Sequence, residues 1–341
     1  MLHPPMFGRF EDAYVAVLEH VDRNVEHVNA PRGNAARECL NVSFVLTDPR
    51  DRIVYTPARR TNIVFCYAEA LWYLWGRDDL EMISYYAPRL AKMSADGRTL
   101  TGIAYGPKLF KVARAGRSQW DRVLRLLAEE PASKRAVVSF FEPEELIDPA
   151  NPDVSCTLGL QFLLRDGHLD AIAYMRGNDA VVGLLCDVFS FTLLQEFTAV
   201  QLGVDLGRYG HHVGSMHIND VDAKKAAAIA AAAHGGRELF PVTAMPPTRW
   251  ADLKIVEHHE GALRRNEERL DPGDLSRLGL APYWQQVVLL MEVYRQISHY
   301  PGTPVMPSTL EALDPGYRWL IAHRWPTAIP QNFTRPYGAE P

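Results

Sequence analysis

Basic residues are in deficit: 36 lysines and arginines against 41 aspartates and glutamates leave a formal net charge of −5. That argues against a nucleic-acid polymer as partner, which would call for a basic face. No apolar run looks long enough to cross a bilayer, and the opening MLHPPMFGRF lacks the charged and apolar regions of a signal peptide. Cysteine is scarce as well. Cys39, Cys66, Cys156 and Cys186 have no metal-type spacing, and reduced thiols in a cytoplasm fit them best. Internal repeats are missing, and the alanines near residue 230 are the sole low-complexity segment. What is present, 341 residues of which 47% are hydrophobic, can bury one large core or a core with an appended subdomain.

Chemistry is expected between Asp153 and Phe191, where a cysteine, an arginine and two aspartates interrupt apolar sequence. Cys156 to Phe162 and Leu169 to Arg176 read as two antiparallel strands joined at Asp166-Gly167, a strong two-residue hairpin signal. Counting outward from that turn puts Cys156 opposite Gly177 and one residue from Arg176. Strict alternation would then send Arg176 to the other face, so it must reach around the strand end or sit at a bulge. A guanidinium beside a thiol lowers the thiol pKa and favours the nucleophilic thiolate. The plain alternative is a buried, inert cysteine. Gly183 to Leu202 is apolar almost all round and ends at Gly203, which predicts a buried helix with a glycine cap. Asp187 lies in its first turns among Leu184, Leu185, Cys186, Val188 and Phe189, where a carboxylate needs a partner.

Elsewhere, Phe10 to Val28 has helical spacing, and Leu40 to Thr47 and Ile53 to Pro57 read as strands around a turn at Asp48 to Arg52. Ile63 to Trp75 predicts a buried helix with an out-of-place acid, Glu69, whose pKa burial should raise unless an arginine such as Arg59 or Arg60 pairs with it. Gln119 to Glu130 predicts a helix and Arg135 to Phe141 a strand. Arg208 to Asp220 predicts a strand and Asp220 to Ala233 a helix. Three histidines on that strand, His211, His212 and His217, invite a metal reading, but no carboxylate or cysteine stands at ligand spacing. Pro241 to Pro247 looks like a linker. Trp284 to Ile297 is a further helix in a tail of unknown role, which divides the chain into 1–238 and a helical extension 239–341.

Cys156, Gln161-Phe162, Asp166-Gly167, Tyr174-x-Arg176, Asp179, Gly183-Leu184 and the helix after them resemble the core of the thymidylate synthase and pyrimidine hydroxymethylase family. Glu69 in Glu-Ala-Leu-Trp, Tyr105-Gly106, Lys134-Arg135 and His217 in Gly-Ser-Met-His extend the match over roughly Pro31 to Lys225. The resemblance implies an α+β fold, a mixed sheet packed with helices, and a homodimer joined sheet to sheet. It implies Cys156 as nucleophile and Glu69 as the group ordering water and protons. Tyr105 joins the network around the base, and Asp179 bonds the pterin of 5,10-methylenetetrahydrofolate. Arg32 and Arg176 hold the phosphate, with Arg37 as a substitute for Arg32. Lys134 and Arg135 reach the partner's nucleotide, and His217 bonds the sugar.

The departures from the family carry the specificity. Members that act on uracil have asparagine where this chain has Asp187, since an amide can both donate to O4 and accept from N3–H. Cytosine reverses that pattern, so Asp187 marks the cytidylate-modifying branch. Methyl-forming members keep tryptophans between the Glu-bearing helix and the Tyr-Gly turn. Between Trp75 and Trp120 this chain has none, which implies addition of water in place of hydride. Gly177 and Asn219 replace larger family residues near the nucleotide and make room for a ribose 2′-OH. Ser155 and Thr157 replace the proline and histidine around the cysteine. The expectation is therefore a folate-dependent enzyme, without a metal, that makes 5-hydroxymethyl-CMP. A dCMP hydroxymethylase is the first alternative. A UMP or dUMP methylating synthase and a non-catalytic nucleotide-binding regulatory module also stay open.

Overall fold

The hairpin turn at Asp166-Gly167 joins two neighbouring strands of a seven-stranded sheet in the computed structural model, which describes residues 3–112, 116–235, 239–330 and 333. Both turn residues have positive φ (49° and 78°), the requirement of a tight hairpin whose twist matches its strands. The strands are β1 (Met6–Phe7), β2 (His27–Asn29), β3 (Ala36–Leu46), β4 (Val137–Ser139), β5 (Thr157–Arg165), β6 (His168–Asp179) and β7 (Asp205–Asn219). Their order is β1-β3-β7-β6-β5-β4, with β2 paired beside β1 on β3. Most neighbours are antiparallel, but β1 with β3 and β6 with β7 are parallel. A parallel pair needs a crossover, and α6 (Gly183–Leu202) supplies it between β6 and β7, ending at Gly203 with φ 67°. The class is α+β, a mixed sheet packed with helices.

Helix α6 is the core element: Leu184, Val188, Phe189, Phe191, Leu193 and Phe197 are all buried. By length and composition it is apolar enough to cross a bilayer, a property the sequence reading missed, yet 83% of its apolar window is buried in the fold. Gln195 ties it to the sheet by donating to the carbonyls of Leu169 and Arg208, both at 2.9 Å. Glu196, also buried, pairs with Arg52 and, at 3.1 Å, with Arg50. A Glu196→Ala variant leaves Arg52 charged and dry, and its unfolding free energy in urea should fall by about 3–5 kcal/mol. Adding Arg52→Met should restore most of that loss.

Two strand and helix expectations change. The opening helix α1 (Phe10–Arg23) stops five residues before Val28, because the chain leaves it at Asn24 to form β2 against β3. Ile53 to Pro57 forms no strand. Strand β3 already has β7 along one side and β1 and β2 along the other, so a returning strand has no ladder to join. Helix α2 (Ile63–Leu74), from Ala68 onward, and the shorter α3 (Leu80–Tyr86), α4 (Tyr105–Phe110), α5 (Gln119–Glu129) and α7 (Ala223–Ala233) complete the sheet-bearing part.

The chain divides into two compact units, Met1–Val54 with Ala68–Gly236, and Tyr55–Tyr67 with Arg237–Pro341. In the second, residues 55–67 group with α8 (Trp250–Arg264), α9 (Pro282–His299), α10 (Pro307–Glu311) and α11 (Pro315–Arg324). Arg60 donates to the carbonyls of His323 and Arg324 at 3.3 and 3.0 Å, and Trp319 donates to the Tyr55 carbonyl at 3.2 Å. This return of an early segment to the tail was invisible to a reading in chain order. Residues 239–247 form no helix or strand.

Candidate active site

Cys156 sits one residue ahead of β5, partly exposed and unpaired with any other cysteine. From Gly159 to Arg165 the hairpin follows the register counted from its turn, but Leu158 is an extra residue, so Thr157 faces Met175. The predicted pairing of Cys156 with Gly177 is therefore off by one. The Cys156 carbonyl instead accepts from the Arg176 amide at 2.9 Å. Arg176 then curls around the strand end, its Nε and terminal nitrogen donating to the carbonyls of Ser155 (2.8 Å) and Val154 (2.9 Å). Bulge and reach-around, the two options left open above, operate together. Gly159 is needed here, since a Cβ would come within 2.5 Å of the Val138 carbonyl.

The segment before the thiol is stitched down more tightly than its sequence suggests. Asp153 accepts from the backbone amides of Thr101, Gly102 and Ile103 at 2.6 to 2.9 Å. Ser155 donates to the Gly102 carbonyl, and its amide donates to Glu145. Lys108 pairs with Glu145 and donates to Ser155 Oγ and the Phe140 carbonyl, both at 2.7 Å. These bonds to Lys108 and Ser155 hold the Glu145 carboxyl below its ordinary pKa despite partial burial. Lys108 and Glu145 were not anticipated, being 37 residues apart and unremarkable locally. Beyond the cysteine, Thr157 donates to the Tyr105 hydroxyl at 2.9 Å, and Tyr105 stands in a ring cluster with Tyr73, Phe140 and Phe191.

Two acids share this space. Burial pushes the Glu69 carboxyl well above the carboxylate range, reinforced by Cys186 and Asp187 and opposed by Arg89. Its hydroxyl neighbour is Ser190, at 3.5 Å. Burial, and then the charge of Asp179, raise the Asp187 carboxyl to about 7 against a bond from the Asn178 side chain. Burial, and then the fields of Asp187 and Cys156, push the Tyr105 hydroxyl well above its ordinary range, so thiol and carboxyl each lie within electrostatic reach of the phenol. Asn178 was missed. It lies between Gly177 and Asp179, both of which were singled out, and a buried amide closing an apolar strand was the available signal.

Asp179 spends one oxygen capping the start of α6, through the amides of Val181 and Val182, and accepts from Asn219 on the other at 3.0 Å. Asn219 is thereby tied to Asp179. Carboxylate oxygens accept more than one bond, so Asp179 keeps acceptor capacity beyond these contacts. Gly177 pairs with Ser215, and His217 stands beside Asp179 in the sheet. Arg32 lies in the short turn Pro31–Gly33, with a side chain outside the described residues, and Arg37 is engaged with Asp22 at 2.6 Å. Lys134 and Arg135 are exposed and do not join the cluster. The Lys134 carbonyl accepts from Gln161, five residues along β5 from Cys156, about 16 Å at strand spacing. Of the three histidines, His211 is buried and bonded to Asn178 and Tyr209. No group of three or more metal-ligating side chains occurs among the described residues.

Residues 12–236 match the thymidylate synthase family, and the chain belongs to that family. It is 30% identical over 225 residues to the deoxyuridylate hydroxymethyltransferase of Bacillus phage SP01, covering 62% of this chain and 58% of the relative. It is 29% identical to the enzyme of the same name from Delftia phage PhiW-14, over 52% of this chain and 51% of the relative. A putative thymidylate synthase of Methanothermobacter thermautotrophicus is 26% identical over 63% of this chain and 92% of its own length. The chain thus spans just over half the length of the two hydroxymethyltransferases.

Proposed function

We propose that this protein transfers a one-carbon unit from 5,10-methylenetetrahydrofolate to C5 of a cytidine monophosphate with addition of water, giving 5-hydroxymethyl-CMP, with CMP preferred to dCMP. The observation that carries this reading is the buried Asp187 carboxyl, raised by burial and by Asp179 to about 7, which acts electrostatically on both Tyr105 and Glu69, as Cys156 does on Tyr105. A protonated carboxyl donates to N3 of cytosine through one oxygen and accepts from the exocyclic amine on the other. Cys156 Sγ adds to C6, and the proton passed to N3 lets electron density collect at C5. When bound, the folate supplies a methylene carbon at the oxidation level of formaldehyde, and we assign Asp179 to hold its pterin. Glu69 takes the C5 proton through an ordered water. As that proton leaves, the bond from the methylene carbon to the folate nitrogen breaks and tetrahydrofolate departs with a proton on that nitrogen. Water adds its hydroxyl to the exocyclic methylene, the C6–S bond breaks to free the Cys156 thiolate, and N3 returns its proton to Asp187.

This reading has a pH signature. Activity on cytidylate should decline as pH rises through about 7, where Asp187 ionises among Glu69, Asp179, Cys186, Tyr73, Tyr105 and Tyr209. The same raised carboxyl favours the fold at low pH, and its contribution is lost as pH climbs from about 4 through that range. A kcat/KM profile flat from pH 6 to pH 9 would remove the proposed proton donor.

We further propose a cytoplasmic homodimer. Its support is the exposed apolar side chains on three strands, Leu40 (46%), Val137 (46%) and Tyr174 (39%), together with the distance of Lys134 and Arg135 from Cys156 in their own chain. Mixing inactive Cys156→Ala subunits with Lys134→Ala/Arg135→Ala subunits should then restore about a quarter of wild-type activity, as random pairing leaves one intact site in half of the dimers. No recovery after exchange of subunits would place both residues outside the site.

The direct test is to incubate the protein with methylenetetrahydrofolate and each of CMP, dCMP, UMP and dUMP, then weigh the products. A hydroxymethyl mass on CMP is expected, with no dihydrofolate formed. The names of the phage relatives favour a second reading, dUMP as substrate. A hydroxymethyl mass on dUMP alone would establish it.

A further inference from the structure

We propose that Lys108 and Glu145 are positioning residues for Cys156: acting through Ser155, they hold the Arg176 guanidinium along the backbone of the thiol residue, and so set the reactivity of the thiol and the grip of the site on an anionic substrate. This rests on the reading of Cys156 as the nucleophile. The two side chains are 10% and 9% exposed and pair with each other. All three donors of the Lys108 ammonium are engaged, on Glu145 Oε1, on Ser155 Oγ and on the Phe140 carbonyl. Both Glu145 oxygens face Ser155. Oε2 accepts from the Ser155 amide at 2.6 Å, and Oε1 lies 2.9 Å from its hydroxyl, which also reaches the Gly102 carbonyl at 2.7 Å.

Ser155 is fully buried, and each of its polar groups has a partner. Its carbonyl is the one that Arg176 Nε reaches at 2.8 Å. With a terminal nitrogen on the Val154 carbonyl and its amide on that of Cys156, both at 2.9 Å, Arg176 engages three consecutive carbonyls that end at the thiol residue. Arg176 has no carboxylate partner among the described residues, and two of its five side-chain N–H donors are spent on these carbonyls. The rest of the fork is available to an anion. Loosening the pair would let Ser155 turn, carrying its carbonyl and the cation off this line. A proline at 155 would offer neither the N–H nor the hydroxyl that the pair grips. On the other side of the thiol, Thr157 is anchored too, its amide and hydroxyl donating to Tyr105 at 3.3 and 2.9 Å. The charged or titratable groups bonded to residues 153–157 include Asp153 itself, Tyr105 and Lys108 from α4, Glu145 from the turn Pro143–Leu146 and Arg176 from β6. Because Lys108 and Glu145 carry opposite charges, removing both leaves the local charge unchanged, and any effect on the thiol comes through geometry.

A Lys108→Met/Glu145→Leu double variant of the full chain tests this, since apolar replacement of a buried ion pair is often neutral for stability. Alkylation of Cys156 by iodoacetamide is followed by peptide mass across neutral and alkaline pH. Its midpoint should rise by about one pH unit in the double variant as the guanidinium swings away from the thiol. Calorimetric dissociation constants for cytidine and CMP give the second readout. The advantage of CMP over cytidine should shrink by about tenfold, the effect of losing a charge-assisted bond to its phosphate. Ser155→Ala changes no charge and loses the bonds to Lys108 and Gly102, so it should move both readouts the same way and serves if the double variant does not fold. A pair with only a structural role would lower the urea midpoint of unfolding and leave the alkylation profile and the CMP advantage as in wild type, and that result overturns the proposal. The nucleophile reading fails separately, through turnover that survives in Cys156→Ala. The alkylation profile reads the thiol whichever nucleotide the protein acts on.

Discussion

An Asp187→Asn variant is expected to lose about 10⁴-fold in kcat/KM on cytidylate and to begin turning over the matching uridylate. The carboxyl is raised to about 7 by burial and by Asp179, so near neutrality it can donate and accept at once. An amide can do so too, but it cannot give up a proton to N3 as C6 is attacked. It presents instead the pattern that uracil satisfies. Parallel product assays on the four nucleotides decide the matter. Unchanged uracil turnover in the variant, whether high or nil, would take Asp187 out of base selection.

Cys156→Ala should abolish turnover, by roughly 10⁶-fold, as removal of a nucleophile does when the remaining site only binds and orients. Nucleotide affinity should stay within a few-fold. The thiol is partly exposed, and the segment before it is fixed by backbone and polar bonds from Asp153, Ser155 and Arg176. Truncating one side chain leaves that scaffold standing. Biological activity undiminished in the alanine variant would instead support a regulatory nucleotide-binding module.

The elements with strong local signals were legible. The Asp166-Gly167 turn, the α6 helix with its glycine cap and most of β7 follow from propensity and periodicity that tertiary structure does not oppose. Ile53 to Pro57 alternates like a strand but has no neighbour to pair with, a fact about the sheet and not about the segment. At the site, Glu69 and Asp187 stood out as acids in apolar surroundings, and their raised carboxyl pKa values share that cause. Lys108 and Glu145 did not stand out, and His211 did so only as one of three strand histidines and not as a partner of Asn178, because each meets a partner distant in sequence.

The additional residue at Leu158 has an evolutionary corollary. Its side chain is 43% exposed and free to vary, so almost any amino acid will serve there, while its removal will not. Deleting one codon would restore an uninterrupted ladder and turn everything upstream, the sulfur included, toward the opposite side of the sheet. The aim of the nucleophile is stored as a count of residues, tolerant of spelling and intolerant of length.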